Sequence, residues 1–216
     1  MKRLLWVFIF ALIFLAALVN FLLYAYHLRG TFNERRERLM LVASNAALSI
    51  SADELLDVRL EQSAEASPEY EVVYQKLTKI KKANPAIKYV YIMTATNEPG
   101  ILQYVVDADP IPQIVTAHCP TSLPGDRYDA RALPAMMNAY KGPSADKRIT
   151  TDAWGVFISG YAPVRDAGGK PIAILGVDSD AISIQAMEKS VKAAGLAALC
   201  TGFLFLISFV TLIRFT

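Results

Sequence analysis

Residues 152–178 read DAWGVFISGYAPVRDAGGKPIAILGVD, and this stretch decides the fold. Trp154–Val164 and Pro171–Asp178 are rich in β-branched and aromatic residues, which suits two pleated, half-buried strands. Arg165-Asp166-Ala167-Gly168-Gly169-Lys170 separates them, and its paired glycines offer the positive φ that a tight hairpin requires. Strand alternation assigns Gly155, Phe157, Ser159, Tyr161 and Pro163 to one face. Trp154, Val156, Ile158, Gly160, Ala162 and Val164 fall on the other, which has the composition of a helix-packing core.

Upstream, Lys88–Ala95 and Ile101–Asp107 repeat the pattern around Asn97-Glu98-Pro99-Gly100 and predict a second antiparallel hairpin. Residues 108–127 are proline-rich and aperiodic, which predicts a long loop of the kind that often carries function. Asp129–Tyr140 then reads as a short helix closed by Lys141-Gly142-Pro143. Before the hairpins, apolar residues from Phe32 to Ile50 recur at three- and four-residue steps, the mark of an amphipathic helix over residues 31–50. Ser51-Ala52-Asp53-Glu54 has capping-box spacing and starts a second, short helix. Pro68 opens a third over residues 69–83, with Tyr70, Val73, Tyr74, Leu77 and Ile80 on one face. Lys76, Lys79, Lys81 and Lys82 make its solvated face. Two hairpins with helices to one side predict an α+β domain around a central antiparallel sheet.

The two ends are different material. Residues 4–26 form 23 uncharged positions of which only Asn20 is polar, and residues 193–213 form 21 more without a charge. At ~1.5 Å of rise per residue, each is long enough to cross a hydrocarbon core. A wholly soluble protein is excluded. The first run exceeds the ~7–15 apolar residues of a cleaved signal and lacks a small-x-small site, so a signal anchor is the better reading. Lys2, Arg3 and Arg214 place both ends in the cytoplasm and residues 27–192 outside it, in the manner of a protein of the cytoplasmic (inner) membrane. Arg29, Arg35, Arg36 and Arg38 oppose that orientation, although long loops translocate largely regardless of charge. Residues 27–192 are about 46% hydrophobic, ordinary for a globular domain. They hold all 20 acidic residues and 19 of the 22 basic ones, so the formal net charge of +2 arises in the tails. No basic patch points to nucleic acid. Cys119 and Cys200 are the only cysteines; Cys119 is read as an unpaired loop thiol, the alternative being a bridge between subunits.

The run D-x-W-G (Asp152–Gly155), S-G-Y-A-P-V (Ser159–Val164), Gly168-Gly169 and L-G-V-D (Leu175–Asp178) resembles the extracytoplasmic PAS-like sensor domains called Cache or PDC domains. Tyr89-Val90-Tyr91-Ile92-Met93, Gln103–Asp107 and Pro124–Tyr128 add to the likeness, which spans most of residues 31–190. The resemblance implies a long N-terminal helix on a central antiparallel sheet, with a small-molecule pocket between the sheet and its covering loops. It also implies an input module for chemoreceptors, histidine kinases or cyclic-dinucleotide enzymes.

Candidate ligand residues follow from both readings. Asp178 ends an apolar strand, and in amine-binding relatives the matching acid pairs with the ligand's ammonium group. A carboxylate against an apolar wall favours a cation. The alternative is that Asp178 caps the helix expected from about Ala181. Phe157, Ser159 and Tyr161 share the face that carries hydroxyls. Tyr91 and Tyr104 lie on aromatic stripes that are core in one reading and ligand wall in the other. Asp152 opens the motif run. Tyr128 and Arg131 begin the expected covering helix, where amino-acid-binding relatives meet a carboxylate, but the rest of that pattern is missing here. Asp107, Asp109 and Asp126 lack the spacing of a calcium loop and are assigned to turns and caps. His27 and His118 have no zinc spacing, and no catalytic signature or cofactor motif is found.

Ala194, Ala198 and Gly202 make a small-residue stripe and Asn20 is a buried-membrane hydrogen-bonding group, which together point to a homodimer. The expected function is a membrane-anchored, non-enzymatic sensor for a small ligand of unknown class. Only Arg214-Phe215-Thr216 follow the second run, so the output, a kinase or cyclase, is expected in a partner or a longer chain. The alternative is a structural or assembly membrane protein with the same fold and no ligand.

Overall fold

The computed structural model describes residues 2–111 and 121–214. The chain forms two units, one of residues 34–182 and one made of the segments before and after it.

The unit of residues 34–182 begins within helix α1 (Lys2–Ala47), whose Leu39, Ala43, Ala46 and Ala47 are buried at the expected three- and four-residue steps. Helix α2 (Ala52–Leu56) follows, with the Ser51 N–H donating to Glu54 Oε2 at 3.2 Å. A 3₁₀ turn (Gln62–Ala66) leads to α3 (Pro68–Ala83), where the Tyr70 N–H is capped by Ser67 Oγ at 3.2 Å. Tyr70, Val73 and Leu77 bury the inner face of α3, at about 1.5–3 kcal/mol for each large apolar side chain. The predicted lysine face is solvated only in part, because Lys76 pairs with Glu54 and Lys81 with Asp109.

The sheet comprises β1 (Tyr89–Ala95), β2 (Ile101–Asp107), β3 (Arg127–Asp129), β4 (Ser144–Ala145), β5 (Thr150–Asp152), β6 (Gly155–Arg165) and β7 (Pro171–Asp180). Its order is β3-β2-β1-β7-β6-β4, with β5 also paired to β6, and every pairing is antiparallel. Both predicted hairpins form. At the β6–β7 turn only Gly169 takes positive φ (+80°), so one glycine meets the need assigned to two. The hairpins join edge to edge through β1 and β7, with Tyr89 opposite Asp178 and Tyr91 opposite Gly176.

One sheet face receives α1. A Cβ on Gly160 would stand 2.5 Å from the Leu39 carbonyl carbon, so the helix backbone rests where a side chain would otherwise be. The second face of β6 is thus the helix-packing face, as alternation predicts, with Trp154 the exception. On the opposite face Tyr91, Met93, Leu102, Tyr104, Tyr161 and Ile174 form a core with Ala130, Met136 and Ala139.

The segment between the hairpins departs from expectation. The predicted helix over Asp129–Tyr140 shrinks to α4 (Pro134–Asn138), because residues 127–129 pair with β2 as an edge strand. Of the predicted loop, residues 112–120 lie outside the described residues, and with them His118 and Cys119.

The other unit contains the first part of α1 and α5 (Ile182–Arg214). Among the described residues one helix, α1 from Leu5, is long and apolar enough to cross a membrane; its most apolar 18-residue window has mean hydropathy 2.7. The rings of Phe21 and Phe14 lie 2.9 and 3.1 Å from where Cβ atoms on Gly195 and Gly202 would be. Gly202 of the small-residue stripe therefore seats an aromatic ring of its own chain. Asn20 donates to the Ala16 carbonyl of its own helix at 2.8 Å.

Candidate functional site

A small cavity opens on the core face where β1, β2 and β7 run side by side, closed over by β3 and the turn before β6. Its walls are Tyr89, Tyr91, Met93, Tyr104, Tyr128 and Trp154, and its acids are Asp107, Asp109, Asp152 and Asp178. No lysine or arginine is among these lining residues. The volume is about 20 Å³, room for about one water molecule.

Asp178 is the centre of the site. Only 8% of it is exposed, and it accepts from the Tyr91 hydroxyl at 3.1 Å. Gly176 makes this possible, since a Cβ there would lie 2.4 Å from the Tyr91 ring. Ser159 stands opposite Asp178 across β6–β7. Burial outweighs the hydrogen bonding and pushes the Asp178 carboxyl up to about 8. The capping alternative for Asp178 is overturned: the strand runs two residues further, and Asp180 Oδ1 receives the Ile182 N–H at 2.9 Å.

The aromatic wall is built by mutual ring contacts, edge-on around Tyr104 and tilted between Tyr128 and Trp154. Tyr104 lies 6.0 Å from Tyr91, 6.3 Å from Tyr128 and 6.3 Å from Trp154, and Tyr128 lies 5.8 Å from Trp154. Asp152 shapes the turn by accepting from the Trp154 and Gly155 N–H groups at 2.9 and 3.2 Å, and receives the Tyr128 hydroxyl at 3.2 Å. Burial raises the Tyr91, Tyr104 and Tyr161 hydroxyls well above the ordinary phenol value, so all three stay neutral donors.

Five of the nine predicted ligand residues line the cavity: Asp178, Tyr91, Tyr104, Tyr128 and Asp152. Ser159 stands behind Asp178, and Tyr161 and Phe157 are buried behind the wall, Phe157 against Tyr89 at 5.5 Å. Arg131 does not belong to the site. Its side chain is 66% exposed and forks onto Asp129, because residues 127–129 are a strand whose alternation turns Tyr128 inward and Arg127 and Asp129 outward.

Trp154 was assigned to the helix-packing face, but it precedes the strand, and Gly155 at φ +144° breaks the alternation that the assignment used. Asp146 gave no signal at all; it is buried because the Ser144–Ala145 edge pairing carries it against Ser159. Asp107 and Asp109 do serve a turn, with the Asp109 N–H on Asp107 Oδ1 at 2.8 Å and the Ser122 hydroxyl on Oδ2 at 2.7 Å. They also line the cavity, and burial pushes Asp107 up to about 7. Asp126 is a turn residue as expected, accepting from the Leu123 N–H at 2.9 Å. Among the described residues no cluster of three His, Cys, Asp or Glu side chains is placed to hold a metal ion.

A larger cleft of about 550 Å³ lies between α4 and residues 144–150. Leu133, Pro134 and Ala135 form its apolar side, and Asn138, Asp146, Lys147, Arg148 and Thr150 its polar one; it has no aromatic ring among its lining residues.

No protein-family profile matches the chain, and no curated protein matches it. Solved structures similar to it are sensor and ligand-binding domains. The sensor domain of the V. cholerae histidine kinase DctB has a TM-score of 0.48 at 14% identity, over 76% of this chain and 54% of that one. The ligand-binding domain of the Campylobacter jejuni chemoreceptor Tlp3 with 4-methylisoleucine has a TM-score of 0.49 at 14% identity, over 81% and 62%. That of the Pseudomonas aeruginosa PAO1 amino acid chemoreceptor PctC with GABA has 0.43 at 18%, over 80% and 64%. The chain thus spans less than two thirds of each of these, and TM-scores below 0.5 do not define a shared site.

Proposed function

We propose that the chain is a membrane-anchored, extracytoplasmic sensor of the Cache or PDC kind, which binds a small amine and transmits the change across the membrane. The observation that carries the ligand class is Asp178, a buried carboxyl in a wall of five aromatic rings with no lysine or arginine lining the same cavity. Aromatic faces and a carboxylate both attract a desolvated cation. Arg131 faces away, so a ligand carboxylate meets no guanidinium there, which argues for amines over amino acids. Entry requires the wall to part, since the cavity holds about one water. The wall's outer members, Tyr128 on a three-residue edge strand and Trp154 on a turn, are the parts with fewest constraints. In this reading residues 4–26 and 193–213 are the two spans, residues 27–192 lie outside the cytoplasm, and the role is binding without catalysis. A homodimer signalling to a separate kinase or cyclase completes it.

The size of the cavity favours a second reading, a structural or assembly protein whose pocket is filled by its own side chains. A thermal-shift series on the full chain in detergent micelles separates the two. The probes are methylamine, a diamine, amino acids, dicarboxylates and purines. An amine at about 100 times its Kd adds roughly 2.7 kcal/mol and raises the melting temperature. Asp178→Ala should abolish that rise. A series in which no compound shifts the transition supports the filled-pocket reading and sinks the sensor.

A further inference from the structure

The pairing along the outer edge of β6 is interrupted in one place. Ala145 lies opposite Gly160, the Asp146 N–H donates to the Ser159 carbonyl at 2.9 Å, and pairing resumes with Thr150 opposite Phe157. Lys147, Arg148 and Ile149 therefore stand against the single residue Ile158, too many for the ladder, and are pushed out of the edge. Asp146 makes the break. The Ser159 N–H, which a continuing ladder would give to the Asp146 carbonyl, goes instead to Asp146 Oδ2 at 3.2 Å. That carbonyl turns to Arg36 Nε of α1, and Arg36 Nη2 takes the Ala145 carbonyl at 3.2 Å. The Asp146 carboxyl also accepts from the Tyr161 hydroxyl at 3.4 Å, so its oxygens are engaged on the sheet side.

The protrusion forms one side of the cleft of about 550 Å³, across from Leu133, Pro134 and Ala135. The Ser144 hydroxyl donates to the Ala135 carbonyl at 2.6 Å and ties the two sides together. Lys147 and Arg148 are exposed, and among the described residues neither side chain takes part in a salt bridge or a hydrogen bond. Arg36, bonded to carbonyls alone, adds a third positive charge that no carboxylate within salt-bridge distance offsets among the described residues. A cleft of ligand size with an apolar side and free cations is the reverse of the aromatic cavity with its four acids.

We propose that this cleft is a second binding site, which takes a small organic carboxylate with an apolar body. The carboxylate meets Arg148 and Lys147, and the body lies against Leu133, Pro134, Ala135 and Ile149. A guanidinium fits a carboxylate through two parallel hydrogen bonds. An inorganic anion would leave the apolar side of the cleft in water, and an ammonium compound is repelled by the same two cations. No residue lines both this cleft and the aromatic cavity, so the site stands apart from the amine reading.

The test uses the full chain in nanodiscs of zwitterionic lipid, with the methyl NMR signals of Ala135 and Ile149 as reporters. Benzoate, benzamide and benzamidine offer one shape with negative, zero and positive charge, and inorganic phosphate offers the charge without the body. Benzoate should give saturable shifts at both methyls and bind roughly tenfold or more tighter than benzamide, with benzamidine weaker still. Lys147→Gln with Arg148→Gln, both exposed and so harmless to folding, should bring benzoate down to the affinity of benzamide. Raising salt from about 50 mM to about 200 mM should weaken benzoate in the wild type and leave the double variant unchanged. Absence of a saturable shift at either methyl below about 20 mM benzoate overturns the proposal. Benzamide binding as well as benzoate, or an undiminished affinity in the double variant, overturns it too. Phosphate equal to benzoate would make this an inorganic-anion site and overturn the carboxylate assignment. Because no amine is involved, a chain that fails to bind amines leaves this result readable.

Discussion

Replacing Asp178 by Asn offers a direct measure of what the buried acid does to the domain. In the folded state the carboxyl is raised to about 8, whereas in the unfolded chain it titrates near 3.8. Between these values the folded domain holds a proton that the unfolded chain releases. Stability from this group is therefore greatest at low pH and falls as pH rises towards 8. Each unit is worth about 1.4 kcal/mol, so from about pH 5 to about pH 7 Asp178 removes about 3 kcal/mol. Asn is neutral at every pH and has the shape of the protonated acid, so Asp178→Asn should erase that loss. Asp107 and Asp146 are raised for the same reason and contribute pH dependence to both proteins, which the comparison largely cancels. The assay is urea unfolding of the full chain in micelles, followed by Trp154 fluorescence with Trp6→Phe in both proteins. The wild type should lose about 3 kcal/mol more than the variant between the two pH values. Parallel losses would mean that Asp178 is ionised in the folded state, and the account of the cavity as a neutral, proton-holding site would fail.

Two glycines give sharper steric tests. Gly160→Ala places a methyl group 2.5 Å from the Leu39 carbonyl carbon, and backbone on both sides leaves little room to yield. A cost of about 1–3 kcal/mol is expected, seen in thermal unfolding as roughly 2–4 °C for each kcal/mol; an unchanged melting temperature would show that α1 does not rest on β6. Gly176→Ala drives the Tyr91 ring from its seat and breaks its bond to Asp178. The Asp178 midpoint should then rise, because that bond lowers it, and an infrared titration that shows no rise would refute the role of Tyr91.

Much of the framework was legible along the chain. Ile101–Asp107 forms a strand over the predicted residues, and Pro68 opens α3 as proline should at a first turn. These elements depend on local propensity and on periodicity within a few residues. Asp178 and its tyrosines were legible through motif and alternation, yet the choice between ligand group and helix cap was not. That choice depended on where β7 ends, and β7 runs to Asp180 because its pairing with β6 continues as far as Phe157. The outward turn of Arg131, the arrival of Trp154 in the cavity and the burial of Asp146 each follow from short edge strands of two or three residues. Strands that short carry almost no periodic signal of their own.

The sequence by itself determined the materials: two apolar runs, two hairpins, an amphipathic helix and an acid at the end of a strand. The tertiary structure alone decided that β1 joins β7, which brings Tyr91 to Asp178 across 87 positions of chain. Secondary structure answers to neighbours in sequence, whereas a site is made where distant strands exclude water together, and no local pattern encodes which strands those are.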